Sequence, residues 1–67
     1  MVEFTEKDGT KHTISGKNLN RVECKDTNLR IAFSNEVLRF TLSSTSECEK
    51  IYQQLKAELE KNERTNG

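Results

Sequence analysis

Apart from charge, little in this 67-residue chain is plentiful. It holds two cysteines, one histidine, three glycines and four aromatic residues, three of them Phe. No apolar run is longer than Ile31-Ala32-Phe33, far from the roughly 20 apolar residues a membrane-spanning helix needs. Two cysteines are too few for the disulfide framework of a small secreted domain. The opening residues, Met1-Val2-Glu3-Phe4, have neither a basic nor an apolar stretch, so they do not read as a secretory signal. The expected location is cytoplasmic, where thiols stay reduced, with no membrane partner. Met1 in first place fits a whole gene product.

Neither sign of charge prevails, since 11 basic residues balance 11 acidic ones. That removes the simplest electrostatic argument for a nucleic-acid binder. A mild excess of basic residues lies between Lys7 and Arg30, where Asp8, Glu23 and Asp26 are the acidic ones. Apolar residues make up only 31 %, a fraction at which disorder must be considered. The zero net charge and the regular spacing of the apolar residues argue for a fold instead.

That spacing has two rhythms. Val2-Glu3-Phe4-Thr5 alternates apolar and polar, as a half-buried strand does. Asp8-Gly9 then marks a hairpin, read as a type I′ turn, with Lys11 to Ser15 as the return strand. Leu19 to Cys24 reads as a third strand, with Val22 and Cys24 inward and Arg21, Glu23 and Lys25 outward. Leu29, Ile31 and Phe33 define a fourth strand, and Leu38, Phe40 and Leu42 a fifth. Near Ser43 the period changes. Ser44-x-x-Glu47 is a capping-box pattern, with Ser46-x-x-Glu49 one register on. Cys48, Ile51, Tyr52, Leu55 and Leu59 then form one stripe of an amphipathic helix.

The expected fold class is α+β: a small antiparallel sheet of four to five strands, hairpin plus meander, packed on one C-terminal α-helix. Residues 1–63 form a single domain, with strands over about 2–42 and the helix over about 45–62. Residues 64–67 form a frayed tail. The helix stripe is expected to bury against Phe4, Ile14, Val22, Ile31, Phe33, Leu38 and Phe40. A core this thin supplies a stability of a few kcal/mol, so self-association is the first supplement to look for.

In outline the segments Val2-Glu3-Phe4, Asp8-Gly9-Thr10, Leu29 to Phe33 and Leu38 to Leu42, running into Ser44-x-x-Glu47, resemble families of small bacterial and phage proteins. These are built as strands followed by one helix, and they include flagellar regulators of the FlbD type. The chain departs from that type at Ser34-Asn35-Glu36, where a Gly turn is usual. The order of sheet then helix is also that of single-strand-binding coactivator domains. Neither resemblance implies a role for any particular residue.

The chemistry-bearing residues are few. Cys24 and Cys48 are two lone thiols, a poor match to the four close ligands of a zinc site. They read as reduced core residues, with a disulfide as the alternative. His12 reads as a structural strand residue, with nothing in the spacing of Ser15, Asp8 or Asp26 to make it a catalyst. Gly9, Gly16 and Gly67 form no phosphate-cradling loop. Catalytic, cofactor-binding and metal residues are therefore none, no cofactor is called for, and no enzyme activity or small-molecule substrate is expected. The interaction face to examine is Lys11, Arg21, Lys25, Arg30 and Arg39. The expected function is a small non-enzymatic binding module, such as a bacterial or phage accessory protein. It would act through protein–protein contact with a partner or with a second copy as a homodimer. The alternative is a single-stranded DNA or RNA binder using the basic outer face of the sheet, although all four aromatics fall on core positions.

Overall fold

The computed structural model describes the backbone of residues 1–66 and the side chains as far as Lys61. The elements run β1 (Val2–Thr5), β2 (Lys11–Ile14), β3 (Leu19–Lys25), β4 (Asn28–Phe33), β5 (Val37–Thr41) and α1 (Thr45–Asn66). The α+β class holds, but the single sheet does not. The strands divide into a two-stranded sheet, β1-β2, and a three-stranded sheet in the order β3-β4-β5. The tail expected over 64–67 lies outside the residues described in full.

The division arises at the link between β2 and β3. There Asn18 adopts a positive φ of 67°, and the chain leaves β2 without forming a hairpin. The two sheets adjoin instead where the Lys7 N–H donates to the Thr41 carbonyl (2.8 Å), and where Phe4 and His12 meet Phe40.

The first hairpin is also not the expected type I′ turn. Gly9 takes a positive φ of 95°, while Asp8 does not. The Gly9 N–H donates to the Glu6 carbonyl (2.9 Å), and the Glu6 N–H donates to the Thr10 carbonyl (2.7 Å). This is the three-residue loop in which a turn is followed by a left-handed glycine. The Asp8 carboxylate accepts the Thr10 N–H at 2.9 Å, and that bond holds its pKa below the usual carboxylate range.

β3 and β4 join through the two-residue turn Asp26-Thr27, with Asp26 at φ 56°. A register shift between Leu19 and Arg21 accommodates Asn20 as a bulge. The bulge lets Leu19 and Val22, three positions apart, both point inward.

At the helix start, Ser44 is the cap. Its Oγ accepts the Glu47 N–H (3.2 Å), and its carbonyl accepts the Cys48 N–H (3.1 Å). The helix packs chiefly on β3, with further contacts to β1 and β4. Cys48, Ile51 and Leu55 bury against Val2, Phe4, Ile14, Leu19, Val22, Leu29, Ile31, Phe40 and Leu42. Phe33 and Leu38, expected in the core, are only partly buried, whereas Val2 and Leu19 are buried. The Met1 ammonium pairs with Glu58 Oε1 at 2.8 Å and tethers β1 to the helix, which lowers the Glu58 pKa. Among the described residues no helix is long and apolar enough to cross a membrane.

Candidate functional site

The alternation of the strands sorts β3, β4 and β5 into two faces. Val22, Cys24, Leu29, Ile31, Phe33, Leu38 and Phe40 face the helix side. The outer face is built of three cross-strand rows. Arg21, Ala32 and Val37 form the first; Glu23, Arg30 and Arg39 the second; Lys25, Asn28 and Thr41 the third. Four of the five residues expected to share a face therefore do so. Lys11 does not, because it belongs to β2 in the other sheet.

The middle row sets the electrostatics. Arg30 lies directly opposite Arg39 on one side and Glu23 on the other. Arg30 Nη1 pairs with Glu23 Oε1 at 3.3 Å, both side chains being about half exposed. Like charges directly opposite on a sheet are unfavourable, by up to about 1 kcal/mol. Among the described residues Arg21, Lys25 and Arg39 make no ion pair. Four cations and one anion give the face a formal charge of 4 − 1 = +3, in a chain whose net charge is zero. An open depression of about 460 Å³ lies at this face, bordered by Glu23, Lys25, Asn28, Arg30, Arg39 and Thr41 and by the inward-pointing Leu29 and Phe40.

β5 also exposes its backbone. Hydrogen bonds from the Phe33 N–H to the Glu36 carbonyl (2.8 Å) and from the Leu42 N–H to the Thr27 carbonyl (2.8 Å) set the phase of the β4–β5 ladder. Leu38 and Phe40 therefore direct their main-chain groups toward β4, while Val37, Arg39 and Thr41 direct theirs off the sheet. Thr41 is satisfied there. Its N–H donates to Glu6 Oε2 (3.4 Å) and its carbonyl accepts from Lys7. The main-chain groups of Val37 and Arg39 have no partner among the described residues. Val37 is 47 % exposed, unusual for a large aliphatic residue here. Its edge role was not legible in sequence, because chain order does not say which strand is outermost.

The remaining candidates resolve differently. His12 is half-buried, with its ring 5.3 Å from Phe4 and 4.5 Å from Phe40 between centroids. Its Nε2 meets Glu6 Oε1 at 2.8 Å. Glu6 thus links β2 to the end of β5, and the histidine serves the junction of the two sheets. Cys24 and Cys48 are close, with Sγ–Sγ at 2.9 Å. Burial raises the Cys48 pKa to about 12, reinforced by Cys24 and Glu49. Among the described residues no group of three or more His, Cys, Asp or Glu side chains is arranged to hold a metal ion.

The sequence matches no protein-family model, and neither a curated protein nor a solved structure matches the chain.

Proposed function

We propose that this protein is a small non-enzymatic binding module, and that its outer sheet face receives an acidic segment of a partner protein alongside β5. The observation that carries this reading is the set of unpaired cations, Arg21, Lys25 and Arg39, beside a strand edge with free main-chain groups. An extended peptide can add to such an edge through backbone hydrogen bonds while its carboxylates meet the arginines. Arginine suits this role because its planar fork binds a carboxylate at two points. A second copy carries the same +3 face, so self-association through that face is opposed by repulsion. A homodimer would have to form elsewhere, at a strand edge for example.

The unpaired cations also favour a second reading, a single-stranded DNA or RNA backbone tracked across the same face. Against it, Phe33 and Phe40 alternate to the inner side of the sheet, so among the described residues no aromatic ring projects from the outer face as a platform to stack a base.

Both readings answer to one variant. Arg21→Glu together with Arg39→Glu changes the charge of the face from +3 to −1 and leaves the core untouched. Proteins captured from a lysate of the source cells by the wild type should be lost with the variant. A labelled single-stranded oligonucleotide should show no binding at low salt. Capture of the same proteins by both forms defeats the proposal, and salt-sensitive oligonucleotide binding that the variant loses transfers the face to the second reading.

A further inference from the structure

We propose that Cys24 and Cys48 form a thiol–disulfide site, in which a small-molecule disulfide oxidises the pair and so latches the first turns of α1 to the end of β3. The site is independent of the outer face, because Cys24 points to the opposite side of the sheet.

The two residues are 24 positions apart in sequence, yet their sulfurs lie 2.9 Å apart, in direct contact. A disulfide bond is about 2.0 Å long, so the remaining approach is roughly 0.9 Å. Both residues sit on well-defined elements. Cys24 precedes the tight turn Asp26-Thr27 and pairs with Leu29 across the ladder. Cys48 follows the Ser44 cap by one helical turn, and its N–H is bonded to the Ser44 carbonyl. The contact is therefore a consequence of docking α1 on β3, and little further ordering is needed to close the bond.

The two thiols differ in access, which gives the reaction a direction. Cys48 is fully buried, whereas Cys24 is partly exposed. Cys24 lines an open depression with Asp26, Thr45, Ser46 and Glu49. Only Cys24 can meet a reagent from solvent. The thiolate is the attacking species, and burial keeps the Cys48 thiol protonated well above neutral pH.

The chemistry balances with a disulfide such as oxidised glutathione as the oxidant. The Cys24 sulfur attacks one sulfur of glutathione disulfide, forming a mixed disulfide as the original S–S bond breaks. The first glutathione leaves as a thiolate and takes up the proton that Cys24 lost. Once Cys24 is in the mixed disulfide it carries no thiolate charge, so one cause of the raised Cys48 pKa is gone. The Cys48 sulfur then attacks Cys24 Sγ, and the second glutathione departs with the Cys48 proton. Two protein thiols and one oxidised glutathione become one protein disulfide and two reduced glutathiones.

The consequence is mechanical. The bond closes a loop containing the β3–β4 turn, β4, β5 and the helix cap, and so constrains the unfolded chain most where the core is thin. Reduction releases the helix to open from β3 more readily.

The experiment uses the full chain, reduced and then incubated with oxidised glutathione. Intact mass should fall by two hydrogen atoms with no glutathione retained. Free thiols should vanish, and a digest should contain one cross-linked pair of peptides bearing Cys24 and Cys48. The thermal midpoint should rise on the order of 10 °C and return on treatment with dithiothreitol. In Cys48→Ala the reaction should stop at a stable glutathione adduct on Cys24. In Cys24→Ser the buried thiol should remain free in the folded protein. A wild-type product that keeps glutathione, that consists of cross-linked dimers, or whose midpoint falls would overturn the proposal.

Discussion

Arg39 is the residue on which the interaction account turns. It faces Arg30 across the β4–β5 ladder, and Arg30 is already paired with Glu23. A fold selected only for stability has no use for that pairing, since an acidic or neutral residue at position 39 would relieve it and leave the Arg30–Glu23 pair in place. Cys48 carries the clearest prediction of pH dependence. Its folded pKa of about 12 lies above the ordinary 9.0, mainly because the thiol is buried. The folded protein thus keeps a proton that the unfolded chain surrenders. The stabilising contribution is complete below pH 9.0 and is lost as pH rises toward 12. Reduced wild-type protein should lose denaturant resistance across that interval. Cys48→Ala, though less stable at neutral pH, should show a smaller alkaline loss in parallel urea titrations. Equal alkaline losses in the two proteins would remove the buried thiol as the cause.

Among the elements, the hairpin β1-β2 is held to the larger sheet by few contacts. These are the Lys7 to Thr41 backbone bond, the Glu6 carboxylate, and the cluster of Phe4, His12 and Phe40. Phe4 and Phe40 meet edge to face, with centroids 5.1 Å apart. Phe40→Leu keeps an apolar residue but removes both ring contacts, and should cost about 1 kcal/mol. Amide hydrogen exchange should quicken in Val2–Thr5 and Lys11–Ile14 more than in β3 and β4. Uniform quickening across all five strands would mean that the hairpin does not open as a unit.

This element-level arrangement marks how far the sequence could be read. Strands and helix follow from local rhythm, which is why Val2–Thr5 and the Ser44 cap were legible. The alternation of Arg21, Arg30 and Arg39 with inward residues was equally legible, and it placed those three on one face. The separation into two sheets was not, because it depends on Asn18 and on the direction in which the chain leaves β2. Lys11 was assigned to the wrong group for that reason. The contact of Cys24 with Cys48 depends on how deeply α1 seats on β3, which no local pattern encodes. Leu19, read as the start of the third strand, was left out of the expected core because a bulge at Asn20 breaks the alternation that would have turned it inward.

At the scale of the whole molecule, the helix and the two sheets enclose one thin core, and the charge is unevenly spread around it. The outer sheet face holds an excess of three positive charges, which the rest of the chain balances. Such separation steers an acidic partner toward one side and makes its capture sensitive to salt. The most direct measurement is a ¹H–¹⁵N correlation spectrum of the labelled protein, titrated at low salt with a short polyglutamate peptide. If the outer face receives an acidic segment alongside β5, progressive shifts should concentrate at Arg21, Lys25, Arg30, Val37 and Arg39, with the solvent-facing side of α1 unchanged. Shifts confined to the helix, or none at all, would contradict it.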